Sequence, residues 1–259
     1  MRYRRTVLAA ALSLLPLGQP LLLVSSSSLA TGAVLLSTQA AHAQSAAVLL
    51  KRGYAKFKKG DYQGAIADYN KAIEINPQLA IAYGARGVAK RALRDNKGAI
   101  IDFNNALEID PQMFPAYTNR GTAKSNLGDS QGAIADYNKA IDINPQDADA
   151  YTNRGAVKGR SGDCQGAIAD CNKAIAINPQ YAAAYANRGN AKSSLGDYQG
   201  AIADYNKAIQ IDPQNAPTYS NRGGAKDDLG DYQGAIADCN KAIQIDPQYA
   251  AAYINRGNA

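Results

Sequence analysis

The chain has 259 residues, of which 46% are hydrophobic and 19% are charged, as in soluble, folded proteins. Its formal net charge is +6, but three arginines lie in an N-terminal segment that we expect to be removed, and the remaining residues carry +3. A protein whose affinity comes from phosphate contacts needs a dense basic face. The mild charge therefore argues against nucleic acid as a partner.

The first 43 residues have the pattern of a secretory signal peptide. Three arginines at the start precede a mostly apolar stretch over residues 7–24, and the small residues before Gln44 fit a cleavage site after Ala43. Cleavage after Ala30 and an uncleaved membrane anchor are the alternatives, although prolines and a glycine interrupt the apolar stretch. We expect export to the periplasm, the extracellular space or another extracytoplasmic lumen, by a route that the sequence leaves open.

After this segment a proline recurs every 34 residues, from Pro77 to Pro247, and the sequence between the prolines nearly repeats itself. Such a period is typical of stacked units that each cover the hydrophobic face of a neighbour. We predict one repeat domain over residues 44–259. Its units are residues 46–79, 80–113, 114–147, 148–181, 182–215, 216–249 and, as a partial unit, 250–259.

Each unit is predicted to fold as two antiparallel helices. In residues 182–215 the first helix is expected to end near Gly196, because glycine readily adopts the positive φ that ends a helix. Asp197 then suits the N-cap of a second helix. Along that helix apolar residues recur at intervals of three and four, and the proline after Asp212 stops it. The predicted class is therefore all-α.

The repeated residues resemble the tetratricopeptide repeat signature. The series in one unit is Tyr117, Gly121, Ala133, Tyr137, Ala140 and Pro145, and it recurs as Tyr185, Gly189, Ala201, Tyr205, Ala208 and Pro213. The resemblance implies a right-handed superhelical solenoid of antiparallel helix hairpins that binds proteins or peptides on its concave face. Two positions depart from the family, since an arginine stands where leucine is usual and a lysine where an aromatic residue is usual.

Each arginine that replaces the usual leucine, from Arg52 to Arg222, is followed sixteen residues later by an aspartate. We expect these residues to form a ladder of structural ion pairs between the helices. An arginine row that binds anionic ligand groups is the alternative. The three predicted structural ion pairs in the middle of the domain are Arg120 with Asp136, Arg154 with Asp170, and Arg188 with Asp204.

The residue before the arginine is asparagine from the third unit onward. We call this set the asparagine row: Asn119, Asn153, Asn187, Asn221 and Asn255. A carboxamide both donates and accepts hydrogen bonds, which suits the backbone of an extended peptide. The row is similar to the asparagine ladder of tetratricopeptide superhelices such as that of the O-GlcNAc transferases. We therefore predict a peptide-binding row, to which Thr118 and Thr152 also belong; the alternative is that these asparagines are solvated or bridge neighbouring hairpins.

Nothing in the sequence favours catalysis. The single histidine, His42, lies in the expected signal, so the mature chain lacks the usual general base and the commonest metal ligand. Its glycines follow the repeat and form no phosphate-binding loop. We therefore expect no enzyme, cofactor or metal site. Cys171 and Cys239 replace core aromatic residues, whereas Cys164 lies near a turn where we expect partial exposure.

The predicted function is an exported scaffold that binds extended polypeptide in a concave groove. Two alternatives remain open at this stage. The first is a structural spacer or a self-assembling subunit, with a homo-oligomer formed through the open C-terminal end. The second is the targeting arm of a larger enzyme. A membrane is expected as a partner only if the signal segment is uncleaved.

Overall fold

A computed structural model describes residues 45–259, which lie in two compact units divided between Gly128 and Asp129. The described residues form thirteen α-helices and no β-strand, which confirms the predicted all-α class. The proposed signal segment lies outside the described residues. Within residues 45–259, no helix has the length and apolar character needed to span a membrane.

The first unit contains five of these helices. They are α1, described over residues 45–58, α2 (Tyr62–Ile75), α3 (Ala80–Ala92), α4 (Asn96–Ile109) and α5 (Phe114–Asn126). From α2 onward each helix packs against the next, and α3 also contacts α5. Leu50 and Phe57 of α1 join the core formed by Tyr69 and the alanines of α2 and α3.

The second unit contains eight helices. They are α6 (Ser130–Ile143), α7 (Ala148–Arg160), α8 (Cys164–Ile177), α9 (Ala182–Ser194), α10 (Tyr198–Ile211), α11 (Ala216–Asp227), α12 (Tyr232–Ile245) and α13 (Ala250–Asn258). We call α7, α9, α11 and α13 first helices, and α6, α8, α10 and α12 second helices. Each helix packs against the next, and each first helix also contacts the following first helix. The first helices therefore stand side by side in one row.

The turn inside each hairpin has the predicted chemistry. Gly196 has a φ of 81°, and Asp197 caps α10 by accepting a hydrogen bond of 2.9 Å from the Gly200 amide. Four other glycines at the same position also have positive φ. Arg94 takes that position between α3 and α4 with a φ of 66°, a conformation that costs a side chain about 1–2 kcal/mol.

Small residues allow the two helices of a hairpin to approach closely. A Cβ atom added to Gly189 would lie 2.7 Å from Tyr205 Cε1, so the tyrosine ring fills the space that the glycine leaves. In the repeat with Cys171, an added Cβ on Gly155 would lie 3.1 Å from the carbonyl oxygen of Ala167.

The cysteines follow the same packing. Cys171 and Cys239 are fully buried at the core position where other repeats have an aromatic ring, while Cys164 is half-buried. Burial raises the pKa of the Cys171 thiol to about 12. The cysteines of the described chain are free thiols.

Candidate functional site

A buried aspartate on the second helix binds two cations of the first helix. Asp170 on α8 is 4% exposed. Arg154 of α7 donates to it from Nε over 2.9 Å and from Nη2 over 2.6 Å, and Lys158 Nζ lies 2.9 Å from Asp170 Oδ2. Asp204 makes the same contacts with Arg188 and Lys192. The arrangement also recurs around Asp68, Asp102 and Asp238.

The arginine also connects its own hairpin to the preceding second helix. Arg154 Nη1 donates to Asn138 Oδ1 on α6 over 2.5 Å. The guanidinium carbon of Arg154 lies 5.5 Å from the centre of the Tyr151 ring, within cation–π range. Three sides of this guanidinium are therefore occupied by groups of the protein, which favours a structural role for the arginine row.

The cations beside Asp68 hold its carboxylate in the charged form. At Asp68 the hydrogen bond from Arg52, followed by that from Lys56, lowers the pKa to about 2, although burial opposes the shift. The hydrogen bond with Asp170 likewise raises the pKa of Arg154 above its ordinary value. The network of Arg52, Lys56 and Asp68 is thus an ion triad that stays charged at neutral pH.

Neither Lys158 nor Asn138 was predicted from the sequence to belong to the network around Asp170. Lys158 follows Arg154 by four residues, a spacing that puts both side chains on one helix face. That spacing was the available signal for the second cation. The pairing of Arg120 with Asp136 stays a prediction, because the two residues belong to different compact units. Within the first unit, Arg120 Nη1 donates to Asn104 Oδ1 over 2.7 Å.

The asparagine row connects neighbouring first helices in the second unit. Asn187 of α9 donates to the carbonyl oxygen of Thr152 on α7 over 3.4 Å. Asn255 of α13 donates to the carbonyl oxygen of Ser220 on α11 over 3.1 Å. Asn221 lies between these positions, and its Nδ2 donates to Asn190 Oδ1 over 2.9 Å. These amides therefore take part in bonds between hairpins.

The remaining predicted peptide-binding residues differ in exposure. Asn119 in the first unit is 6% exposed, and its side chain binds the carbonyl oxygen of Pro115 and the guanidinium of Arg91. Thr118 and Thr152 are buried, at 5% and 1% exposure, so neither side chain is available to a ligand in this structure. Asn153 on α7 is half-buried.

A cavity of about 320 Å³ opens between α7 and α9. Its lining includes one member of the asparagine row and three small residues of α7. The lining residues are Gly155, Ala156, Gly159, Arg160, Asn187, Asn190, Ala191 and Ser194. Volumes of this order are at the small end of ligand pockets in proteins.

Two hydrogen bonds orient the side chain of Asn190 in this cavity. Its Oδ1 accepts hydrogen bonds of 2.9 Å from both Tyr205 Oη and Asn221 Nδ2. The Nδ2 group, with two N–H donors, is the remaining polar end of the side chain. Asn190 was not predicted from the sequence because the equivalent positions hold different residues, among them Ala156 and Gly224.

The arrangement offers amide and guanidinium donors to a ligand. Among residues 45–259 no group of three or more His, Cys, Asp and Glu side chains is placed to hold a metal ion.

Solved structures share this fold. The APC/C hetero-tetramer Cut9–Hcn1 matches 82% of this chain with a TM-score of 0.77 and 19% identity, and this chain spans only 42% of that chain. YrrB, a protein described as having an unusual peptide-binding site, matches 73% with a TM-score of 0.55 and 22% identity, over 97% of its own length. MamA matches 67% with a TM-score of 0.55 and 28% identity, over 95% of its length.

Sequence comparisons identify the repeats. Tetratricopeptide repeat profiles match residues 80–113, 148–181, 182–215 and 216–249, and a further TPR repeat profile matches residues 53–93 and 126–162. A comparison with curated protein sequences found no match. Repeats of this kind generally form non-catalytic scaffolds for protein–protein interactions. With the profile matches spread over most of its helices, the chain belongs to the tetratricopeptide repeat family.

Proposed function

We propose that this protein is exported and binds an extended segment of another polypeptide along its row of first helices. The observation that carries this proposal is the cavity of about 320 Å³ between α7 and α9, with Asn187 and Asn190 in its wall. The carboxamides would bind the peptide backbone, which selects an extended chain without selecting its side chains. The description of YrrB as a peptide-binding protein adds support from a protein of similar fold.

The hydrogen bond from Asn187 to the Thr152 carbonyl is one that a ligand could replace. Its length of 3.4 Å exceeds the usual range of about 2.7–3.2 Å for such hydrogen bonds. A peptide carbonyl at a shorter distance would therefore replace the Thr152 carbonyl at little cost. The groove would bind with modest affinity, as expected of an assembly scaffold.

A structural spacer is the second candidate. It is favoured by the bonds of Asn221 and Asn255, which have ordinary lengths of 2.9 and 3.1 Å and connect first helices to each other. If the row serves only this purpose, removing its amides will weaken the stack and leave partner binding unchanged.

Affinity capture distinguishes the two functions. The protein would be used as bait in an extract of its own extracytoplasmic compartment, beside the double variant Asn153→Ala/Asn187→Ala. The control is Gln210→Ala/Gln244→Ala, which removes two carboxamides from exposed positions on second helices. Circular dichroism would establish that all three are equally helical. Partners lost with the asparagine variant alone support the groove, and partners retained by all three support the spacer.

Export rests on the pattern of residues 1–43. Mass spectrometry of the protein recovered from extracytoplasmic fractions tests it directly. We expect a chain that begins at Gln44, and an unprocessed chain confined to the cytoplasm would contradict export.

A further inference from the structure

The charged group that lines the cavity between α7 and α9 is a cation. Arg160 is the only ionisable side chain among the eight lining residues, and no acidic residue lines the cavity. Asn190 adds an oriented amide, because the two donors at its Oδ1 leave Nδ2 as the end that donates to a ligand. The polar part of this cavity is therefore rich in donors and positively charged.

The α7 wall of the cavity consists of Gly155, Ala156, Gly159 and Arg160, so the only long side chain on that wall is a cation. The two equivalents of Arg160 later in the second unit are Ser194 and Asp228, so neither supplies a cation. The cation therefore distinguishes the pair α7 and α9 from the later pairs of first helices in the second unit.

We propose that this cavity binds a side-chain carboxylate, an Asp or Glu of the bound polypeptide, through Arg160 and the Nδ2 group of Asn190. The inference rests on the proposed function, since it names the residue type that the groove selects. Guanidinium and carboxylate form charge-assisted hydrogen bonds, which are stronger than bonds between neutral groups. A volume of about 320 Å³ accommodates such a side chain together with ordered water.

A displayed library of random dodecapeptides is the probe for this selection. The library would be panned on the full chain and on the variants Arg160→Gln and Arg160→Lys. The matched control is Lys173→Gln, which removes one exposed positive charge from the second helix of the same repeat. All variants change exposed side chains, and circular dichroism would establish equal helicity.

We expect Asp and Glu to be enriched over Asn and Gln by about tenfold or more at one peptide position, because a charged hydrogen bond adds roughly one factor of ten in affinity. Arg160→Gln should reduce this preference to about onefold, whereas Arg160→Lys should keep part of it and Lys173→Gln all of it. Enriched peptides without an acidic preference, or a preference unchanged in Arg160→Gln, would overturn this inference while leaving peptide binding intact.

Synthetic versions of the selected peptide separate the two sources of a carboxylate. One changes the acidic side chain to its amide, and the other carries a C-terminal amide. The proposal requires that only the first change weakens binding. Weakening by the C-terminal amide alone would assign the anion to the chain end and reject the side-chain site. Failure of the full chain to enrich any peptide would reject the proposed function, and this inference with it.

Discussion

Arg154 and Asp170 are joined by hydrogen bonds of 2.9 and 2.6 Å, although sixteen residues separate them in the sequence. Asp170 also binds Lys158, so its buried charge has two partners. Asp170 is therefore the one anion shared by two cations, of which Arg154 is the first and Lys158 the second. This asymmetry predicts unequal effects when either partner is removed.

Asp170→Leu should destabilise the protein more than Arg154→Leu. The first change leaves two cations without their anion, at a cost of about 3–5 kcal/mol. The second leaves Asp170 bound to Lys158 and should cost about 1–3 kcal/mol, as for one lost partner of a buried acceptor. Urea unfolding measures both free energies, and equal losses would contradict the account.

Removing both cations should be worse than the sum of the single changes. In Arg154→Leu/Lys158→Leu no cation of the first helix remains at the buried Asp170, whereas each single variant retains one. A double-mutant cycle of urea unfolding measures this coupling, which should be at least about 0.5 kcal/mol for residues of one network. Additive effects would mean that the two cations act independently.

The ion triad around Asp68 predicts a loss of stability in acid. The folded-state pKa of Asp68 is about 2, below its unfolded value of about 3.9. A depressed pKa contributes stability above the unfolded value, and that contribution disappears as pH falls from about 4 to about 2. Unfolding midpoints of the protein and of Asp68→Asn should therefore differ most above pH 4 and converge towards pH 2. A difference that does not change with pH would exclude this origin.

Arg94→Gly should stabilise the protein. Arg94 has a φ of 66° at a position where five other repeats have glycine. Relief of the left-handed conformation gains about 1–2 kcal/mol, and the added freedom of glycine in the unfolded chain offsets about 0.5–1 kcal/mol of it. Thermal unfolding should show a higher midpoint. The converse change, Gly128→Arg, should lower it, and no effect from either would contradict the strain.

The three cysteines should react at different rates. Burial raises the thiol pKa of Cys171 to about 12 and that of Cys239 above its ordinary value, which leaves little thiolate at pH 8. Cys164 is half-buried and should be labelled first by a thiol reagent. We expect one thiol to react in the native protein and all three after unfolding. A Cys164→Ser variant that still reacts quickly would contradict the burial of the other two.

Much of the hairpin was predictable because local chemistry determines it. Gly196 and Asp197 end one helix and begin the next through their own backbone preferences, and Pro213 needs no distant partner to stop α10. These features depend on residues close in sequence, and one repeat is enough to identify them.

The candidate site was less predictable because it depends on how closely neighbouring helices approach. Thr152 lies beside the asparagine row in the sequence, yet it is 1% exposed in the folded chain. Arg160 and Asn190, two lining residues of the cavity, belong to no periodic row. A search for repeated residues could not identify a feature produced by the differences between repeats.

Photo-crosslinking from Ser194 tests the central claim of groove binding most directly. Ser194 is an exposed residue of the cavity wall, and a photoreactive amino acid at this position would touch any polypeptide bound between α7 and α9. The same group in place of Gln210, on a second helix, is the control. We predict that illumination in the producing cells links a partner polypeptide to position 194 and not to position 210. Equal products from both positions, or none from either, would contradict binding in the groove.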